Sequence, residues 1–267
     1  MVATLIFYFI LFKTYVIIVI KKLWSTIMSN IKLTEDMIWS YANCPVQYDL
    51  IYNRKIIPPE TITLRYYLMK VINYFFLNLM NGEVTEPSKL KDKWDLIWKE
   101  NADYIDSNKG IDGLSKIMLL YKWAEKEKLR ILDMSIPYKI NFIGKNNSII
   151  ELTGEIPVIS INNSDVCELL YIDTGNALKE QLRLDMDLKF TLYSYVYYKQ
   201  TGKQIGIKLH NLKQDKDLFS YRGKTDYQRL HKTIVNIAEA ISNSIYYPRE
   251  NIMCKTCLTA GACRMWC

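Results

Sequence analysis

Few residues in this chain interrupt it: there are 7 prolines and 10 glycines in 267 residues, with no Pro-, Gly- or Ser-rich linker, low-complexity tract or internal repeat. A modular array is therefore excluded, and a single domain of about 240 residues is expected, with 49% apolar content to fill its core. Histidine is scarcer, at 2 residues. Neither His210 nor His231 has an acid or nucleophile beside it in sequence, and both read as surface or capping residues. The chain has no P-loop, no dinucleotide fingerprint and no Ser-His-Asp order, so those chemistries have no motif to stand on. Acid is missing before Met28, where Lys13, Lys21 and Lys22 stand unopposed. They take three of the formal +7 and leave the remainder a mild +4.

Residues 1–27 read as separate from the domain. Met1 to Ile20 is apolar apart from Lys13 and a few hydroxyls, and Lys21, Lys22 and Trp24 follow as an interfacial anchor would. A membrane span there would leave the globular part, residues 28–267, in the cytoplasm, where thiolates stay reduced. The competing reading starts translation at Met28, since Lys13 near the centre of a span costs a few kcal/mol.

Cysteine is sparse but placed. Cys44 stands alone near the N-terminus, and Cys254, Cys257 and Cys263 form a C-x2-C-x5-C run some 210 residues later. The run brings three sulfurs together on adjacent turns, and Cys44, just before Pro45, is the candidate to complete a four-thiolate metal shell. Closing a loop that long would restrict the unfolded chain by about 5 kcal/mol if the site acted as a chain-entropy cross-link. Cys167, in the apolar run Val166 to Ile172, reads as a core residue, and Cys267 fits no spacing. Zinc and an iron–sulfur cluster both accept four thiolates.

The segment Leu33-Thr34 through Trp39-Ser40-Tyr41-Ala42-Asn43-Cys44-Pro45-Val46-Gln47-Tyr48, on to Tyr52, resembles the opening of the RecB/AddB-like nucleases of the PD-(D/E)XK superfamily. The tail from Tyr247-Pro248-Arg249 to Cys263 is similar to the end of their iron–sulfur subclass. The resemblance runs from about Lys32 to Cys263. It implies a restriction-endonuclease-like α/β core, a mixed sheet flanked by helices, with a [4Fe–4S] cluster on Cys44, Cys254, Cys257 and Cys263. It also implies a DNA context, in which inactive relatives guide strands or act as scaffolds within helicase or recombination complexes.

At the catalytic motifs the chain departs from that pattern. Where the family carries "G-x-I-D", this chain reads Gly154-Glu155-Ile156-Pro157; where it carries "D-x-K-T-G", the chain reads Tyr171-Ile172-Asp173-Thr174-Gly175. The Gln-x-x-x-Tyr helix becomes Lys189-Phe190-Thr191-Leu192-Tyr193, and the histidine motif is missing because His210 is the first histidine. Cleavage by this family needs Mg²⁺ or Mn²⁺ held by carboxylates. The expectation is a nuclease fold without nuclease chemistry, in which Glu151, Glu155, Glu168 and Asp173 are solvated strand-edge or turn residues. The alternatives are a metal-dependent exonuclease with migrated carboxylates, drawing on Asp173 with Glu155 or Glu168, and a zinc-stapled protein-interaction module.

Periodicity predicts helices over Thr34–Ala42, Thr61–Met80, Lys89–Tyr104, Leu114–Leu129 and Arg183–Lys199, and one from a Thr225-x-x-Gln228 capping box to Ile245. Strands are predicted over Ile136–Phe142, Ser148–Val158, Val166–Asp173 and Gln204–Leu209. Lys189, Lys199, Lys203, Lys208, Lys213 and Lys216, interleaved with Tyr193, Tyr195, Tyr197 and Tyr198, could form a face for a phosphate backbone and stacked bases, or an ordinary solvated face over a core stripe.

Overall fold

The structure, a computed structural model, describes residues 30–56, 64–100, 107–176, 180–251, 254–255, 257 and 259–265. Residues 1–27, the start of the helix predicted from Thr61, the end predicted at Tyr104, and Cys267 lie outside the described residues. Among those described, no helix is long and apolar enough to cross a membrane.

The chain order is β1 (Ile31–Thr34), α1 (Glu35–Asn43), α2 (Pro45–Tyr48), a π-helical turn (Asp49–Asn53), α3 (Leu64–Met80), α4 (Pro87–Lys99), α5 (Ser107–Glu127), β2 (Arg130–Ile143), β3 (Ile149–Ile161), β4 (Cys167–Asp173), α6 (Gln181–Asp185), α7 (Leu188–Thr201), β5 (Gly206–Asn211), β6 (Lys216–Ser220), α8 (Lys224–Ser242) and α9 (Ala260–Arg264). The six strands form one mixed sheet.

Strand β3 organises that sheet. Antiparallel β2 follows one of its edges from Ile149 to Ile161. Its other edge is shared: β1 runs parallel along Ile150–Thr153, and β4 runs antiparallel along Ile159–Ile161. Between Thr153 and Ile159 neither ladder reaches β3, so Gly154 to Val158 lies where β1 and β4 part. The α6–α7 connection makes β4 and β5 parallel, and β6 closes the far side as an antiparallel hairpin. Pro137 is tolerated within β2 because that strand is an outer one.

Strand alternation splits the core between the two faces of the sheet. Leu169 and Leu209 join Ile38 of α1, Leu192 of α7 and Leu230 of α8 on one face. Leu170 and Ile172 join Phe75 of α3, Trp94 of α4 and Trp123 of α5 on the other. This is the expected mixed α/β fold, a six-stranded sheet flanked by helices.

Four local differences from the sequence reading have identifiable causes. Residues Ile31–Thr34 pair with β3 and form a strand, because their apolar alternation meets an open edge. The predicted Arg183–Lys199 helix is two helices, since Asp187 turns outward to cap α7, accepting from the amides of Lys189 at 2.9 Å and Phe190 at 3.2 Å. The last helix does not use the Thr225/Gln228 box: Asp226 reaches back to the amide of Gly223 at 2.9 Å. Strand β6 was too short and too polar to be read from alternation.

Candidate cysteine site and the centre of the sheet

Cys44 occupies the extended joint between α1 and α2, with its amide bonded to the carbonyl of Ser40 at 3.0 Å. Pro45 starts the next helix at a position where a missing N–H costs nothing. The tail returns to this joint before the cysteine run begins. Tyr41 donates to the carbonyl of Ile245 at 2.7 Å, and Arg249 donates to that of Ala42 at 2.8 Å. Tyr246 stacks on Tyr48 at 6.0 Å and meets Tyr41 edge-on at 6.4 Å. Two tyrosines flanking Cys44-Pro45 in sequence are therefore the floor on which the tail rests.

Beyond that floor, Cys44, Cys254, Cys257 and Cys263 line one cavity of about 510 Å³, with Arg249 and Arg264 at its wall. Burial raises the Cys263 thiol above its ordinary pKa, and facing Cys44, Cys257 and Cys254 raises it further. Asn251 donates its amide to the Cys254 sulfur at 3.4 Å, and the Thr259 hydroxyl lies 3.3 Å from that of Cys257. Four soft donors around one cavity are suited in chemistry to a thiolate-bound group. Among the described residues, no three His, Cys, Asp or Glu side chains are placed to hold a single metal ion. Cys167 is elsewhere, half-buried on β4 against the core.

The second region is the place where β1 and β4 part. The β3–β4 ladder ends at the Ile159–Leu169 pair, so Pro157 on β3 and Tyr171 on β4 lie just beyond it, where the strands part. These are the two positions at which the resembled family places its metal-binding aspartates. Tyr171 packs edge-on against Phe190 at 5.2 Å, and its hydroxyl accepts from Arg65 of α3. Asp173, at the lysine position, is buried and turned to structural use, accepting from Asn211 at 3.0 Å and the Gly175 amide at 3.1 Å. Asp173 and Glu168 are thus not the solvated residues expected from sequence. Glu168 is also buried and accepts from Asn162 at 3.0 Å. Five residues apart on one strand, the two point to opposite faces and cannot share a metal. Glu155 is exposed, and Glu151 is paired with Lys139 across β2–β3 at 2.6 Å.

Sequence reasoning missed Glu35. This carboxylate, first in α1, is buried beneath the parting of the strands. It accepts from the Tyr193 hydroxyl at 2.6 Å, Trp39 Nε1 at 3.0 Å and the Tyr138 hydroxyl at 3.0 Å, and pairs with Lys189 at 2.9 Å. Burial works to raise its pKa, but the bonds from Tyr193, Lys189 and Trp39 outweigh burial and hold it below the ordinary carboxylate value. Tyr138 and Tyr193 are pushed far up, by burial and then by Glu35. Gly154 leaves room for this group: a Cβ there would meet the Tyr138 hydroxyl and stand 2.7 Å from Glu35 Oε2. The available signal was an acid directly after the Thr34 cap, coupled with a lysine in place of the family's glutamine at 189.

Beside this hub an open groove of about 840 Å³ runs between α1 and α6–α7, past Trp39, Asp36, Glu180, Arg183 and the exposed Leu182 and Met186. The basic face read from sequence is not one face. Lys208 is buried, paired with Glu127 and Asp217 at 3.1 Å each, and Tyr193 is consumed by Glu35. His210 is likewise interior rather than superficial: it is 2% exposed, stacked on Trp123 at 4.1 Å, and 2.7 Å from Asp217. Burial works to raise Asp217, but His210 and Lys208 outweigh it and hold its pKa below the usual value. Lys199, Lys203, Lys213 and Lys216 stay exposed.

No family model matches this chain, and no curated protein does. Among solved structures, one described as a "putative exonuclease" from Eubacterium rectale superposes with a TM-score of 0.52 at 11% identity, covering 88% of this chain and 87% of its own. A second, SSO0001, covers 74% of this chain and 95% of its own at 14% identity and a TM-score of 0.38. The first likeness shows that the chain shares that protein's fold, a mixed sheet flanked by helices.

Proposed function

We propose that this protein is an iron–sulfur-bearing pseudonuclease: a RecB/AddB-like PD-(D/E)XK domain that binds DNA, or a DNA-processing complex, without cutting. The observation that carries the reading is the strand parting, where Tyr171 is held by Phe190 and Arg65 and the buried carboxylate of Glu35 is spent on Lys189 and three neighbours. A cutting centre needs carboxylates free to hold Mg²⁺ or Mn²⁺. The migrated-carboxylate alternative loses the Asp173–Glu168 pair, whose members point to opposite faces, and is left with exposed Glu155 and a buried Asp173 already spent on Asn211 and Gly175.

The cofactor reading rests on the four sulfurs. Around one zinc, sulfurs at about 2.3 Å from the ion would crowd to roughly 4 Å from one another, whereas a cluster gives each thiolate its own iron and a wider frame. A cavity walled by four cysteines accepts either, and the family-like tail is what favours the cluster. When bound, the cluster would tie α1 to the tail. The test is the absorption spectrum and metal content of protein purified without oxygen: broad brown absorption with iron supports the reading, and colourless protein with one zinc per chain refutes it.

DNA binding draws on the fold and on the exposed lysines, and its signature is steep salt dependence. The groove favours a second reading, as a protein-interaction module, because its acidic side chains outnumber the free basic ones and Leu182 and Met186 are exposed along it. Filter binding of labelled single-stranded and duplex DNA between low and physiological salt separates the two. Affinity that falls with salt supports the first, and no binding at the lowest salt supports the second.

A further inference from the structure

We infer that Thr259 is a tuning residue of the cysteine site, its hydroxyl donating to the Cys257 sulfur and so making the bound cluster easier to reduce; this rests on the cluster reading above. Threonine immediately before a helix ordinarily uses its hydroxyl to cap the first free amides. Thr259 stands at that position before α9 and makes no such cap. Its hydroxyl lies instead 3.3 Å from Cys257 Sγ, and the residue is only 3% exposed. The helix is held by other means, with the Cys263 amide bonded to the Thr259 carbonyl at 2.8 Å. A buried hydroxyl diverted from a routine role to a sulfur has a reason to be there, and thiolate ligation supplies one.

A metal-bound thiolate carries no proton, so Thr259 must be the donor. Such a bond withdraws charge from the sulfur. When one electron enters from an external one-electron reductant, the site becomes more negative by one charge, and a donor to sulfur stabilises that state more than the oxidised one. The Asn251 backbone amide, 3.4 Å from Cys254 Sγ, acts in the same direction. Arg249 and Arg264 at the cavity wall add to it.

The test is a redox titration of the iron-loaded protein, followed by electron paramagnetic resonance, on wild type, Thr259→Val, Thr259→Ser and Thr259→Ala. Thr259→Val keeps the shape and loses the donor, so its midpoint potential should move negative at unchanged iron content. Thr259→Ser should return close to wild type. If Thr259→Val loses iron, Thr259→Ala must still show the negative shift. A Val or Ala variant with full iron and an unmoved potential overturns the proposal, as does a serine variant that behaves like valine. Wild-type protein that binds no iron cluster fails at the earlier step and removes the proposal with it.

Discussion

The two ends of α1 were put to different uses. At its C-terminal end, Cys44 faces a cavity shared with three tail cysteines, and Tyr41, Ala42 and Tyr48 around it hold the tail. At its N-terminal end, Glu35 sits where the strands part, and its bonds are all spent inward. One end gathers sulfur atoms around a cavity; the other pairs its carboxylate with a lysine, an indole and two phenols. At that second end the carboxylate, lysine and phenols pack against and satisfy one another.

The largest expected effect breaks the open end. If the proposed cluster is bound, Cys44→Ser and Cys254→Ser should each abolish iron binding, read by metal analysis of protein purified without oxygen. Because tyrosine contacts and two hydrogen bonds hold the tail as far as Arg249 without the cysteines, limited proteolysis of Cys44→Ser should cut beyond Asn251 first and spare the sheet. Cleavage starting in α3 would show that the cysteines hold more than the tail.

The closed end should respond in stability instead. Glu35→Gln keeps the shape but loses the charge opposite Lys189, at a cost of about 2 kcal/mol, less than for a wholly buried pair because Lys189 is half exposed. For a domain of this size that is roughly 5 °C in Tm by scanning calorimetry. Its pH dependence has a definite sign. The folded pKa of Glu35 is depressed, so its contribution is fully present above the unfolded carboxylate value of about 4.3 and is lost as pH falls through the depressed folded value. The difference between wild type and Glu35→Gln should hence close on acidification below about pH 4.

How much was legible in advance follows from the same contrast. That Cys44 and the C-x2-C-x5-C tail come to one cavity was readable because such spacing is local and specific, and the central strands because alternation marks them. Glu35 was not readable: its partners Tyr138, Tyr193 and Lys189 lie 103, 158 and 154 positions away, and only the fold brings them together. His210 and Lys208 were misread as superficial because a charged residue in a strand looks solvated until its buried partners Asp217 and Glu127 are known.

That second buried network sets a smaller effect. Asp217→Asn removes the charge and one of the two oxygens that serve His210 and Lys208, but Glu127 still pairs with Lys208, so a loss of about 1 kcal/mol is expected in urea unfolding. Smallest should be Cys167→Ser, outside the cysteine cavity: within about 0.5 kcal/mol of wild type, with iron content unchanged.

The contrast between an open and a closed site is tested most directly by incubating iron-loaded protein with linear single- and double-stranded DNA in Mg²⁺ or Mn²⁺. The expected result is intact DNA. Mn²⁺-dependent degradation that disappears with Asp173→Ala or Glu155→Ala would contradict it and show a working metal centre in this fold.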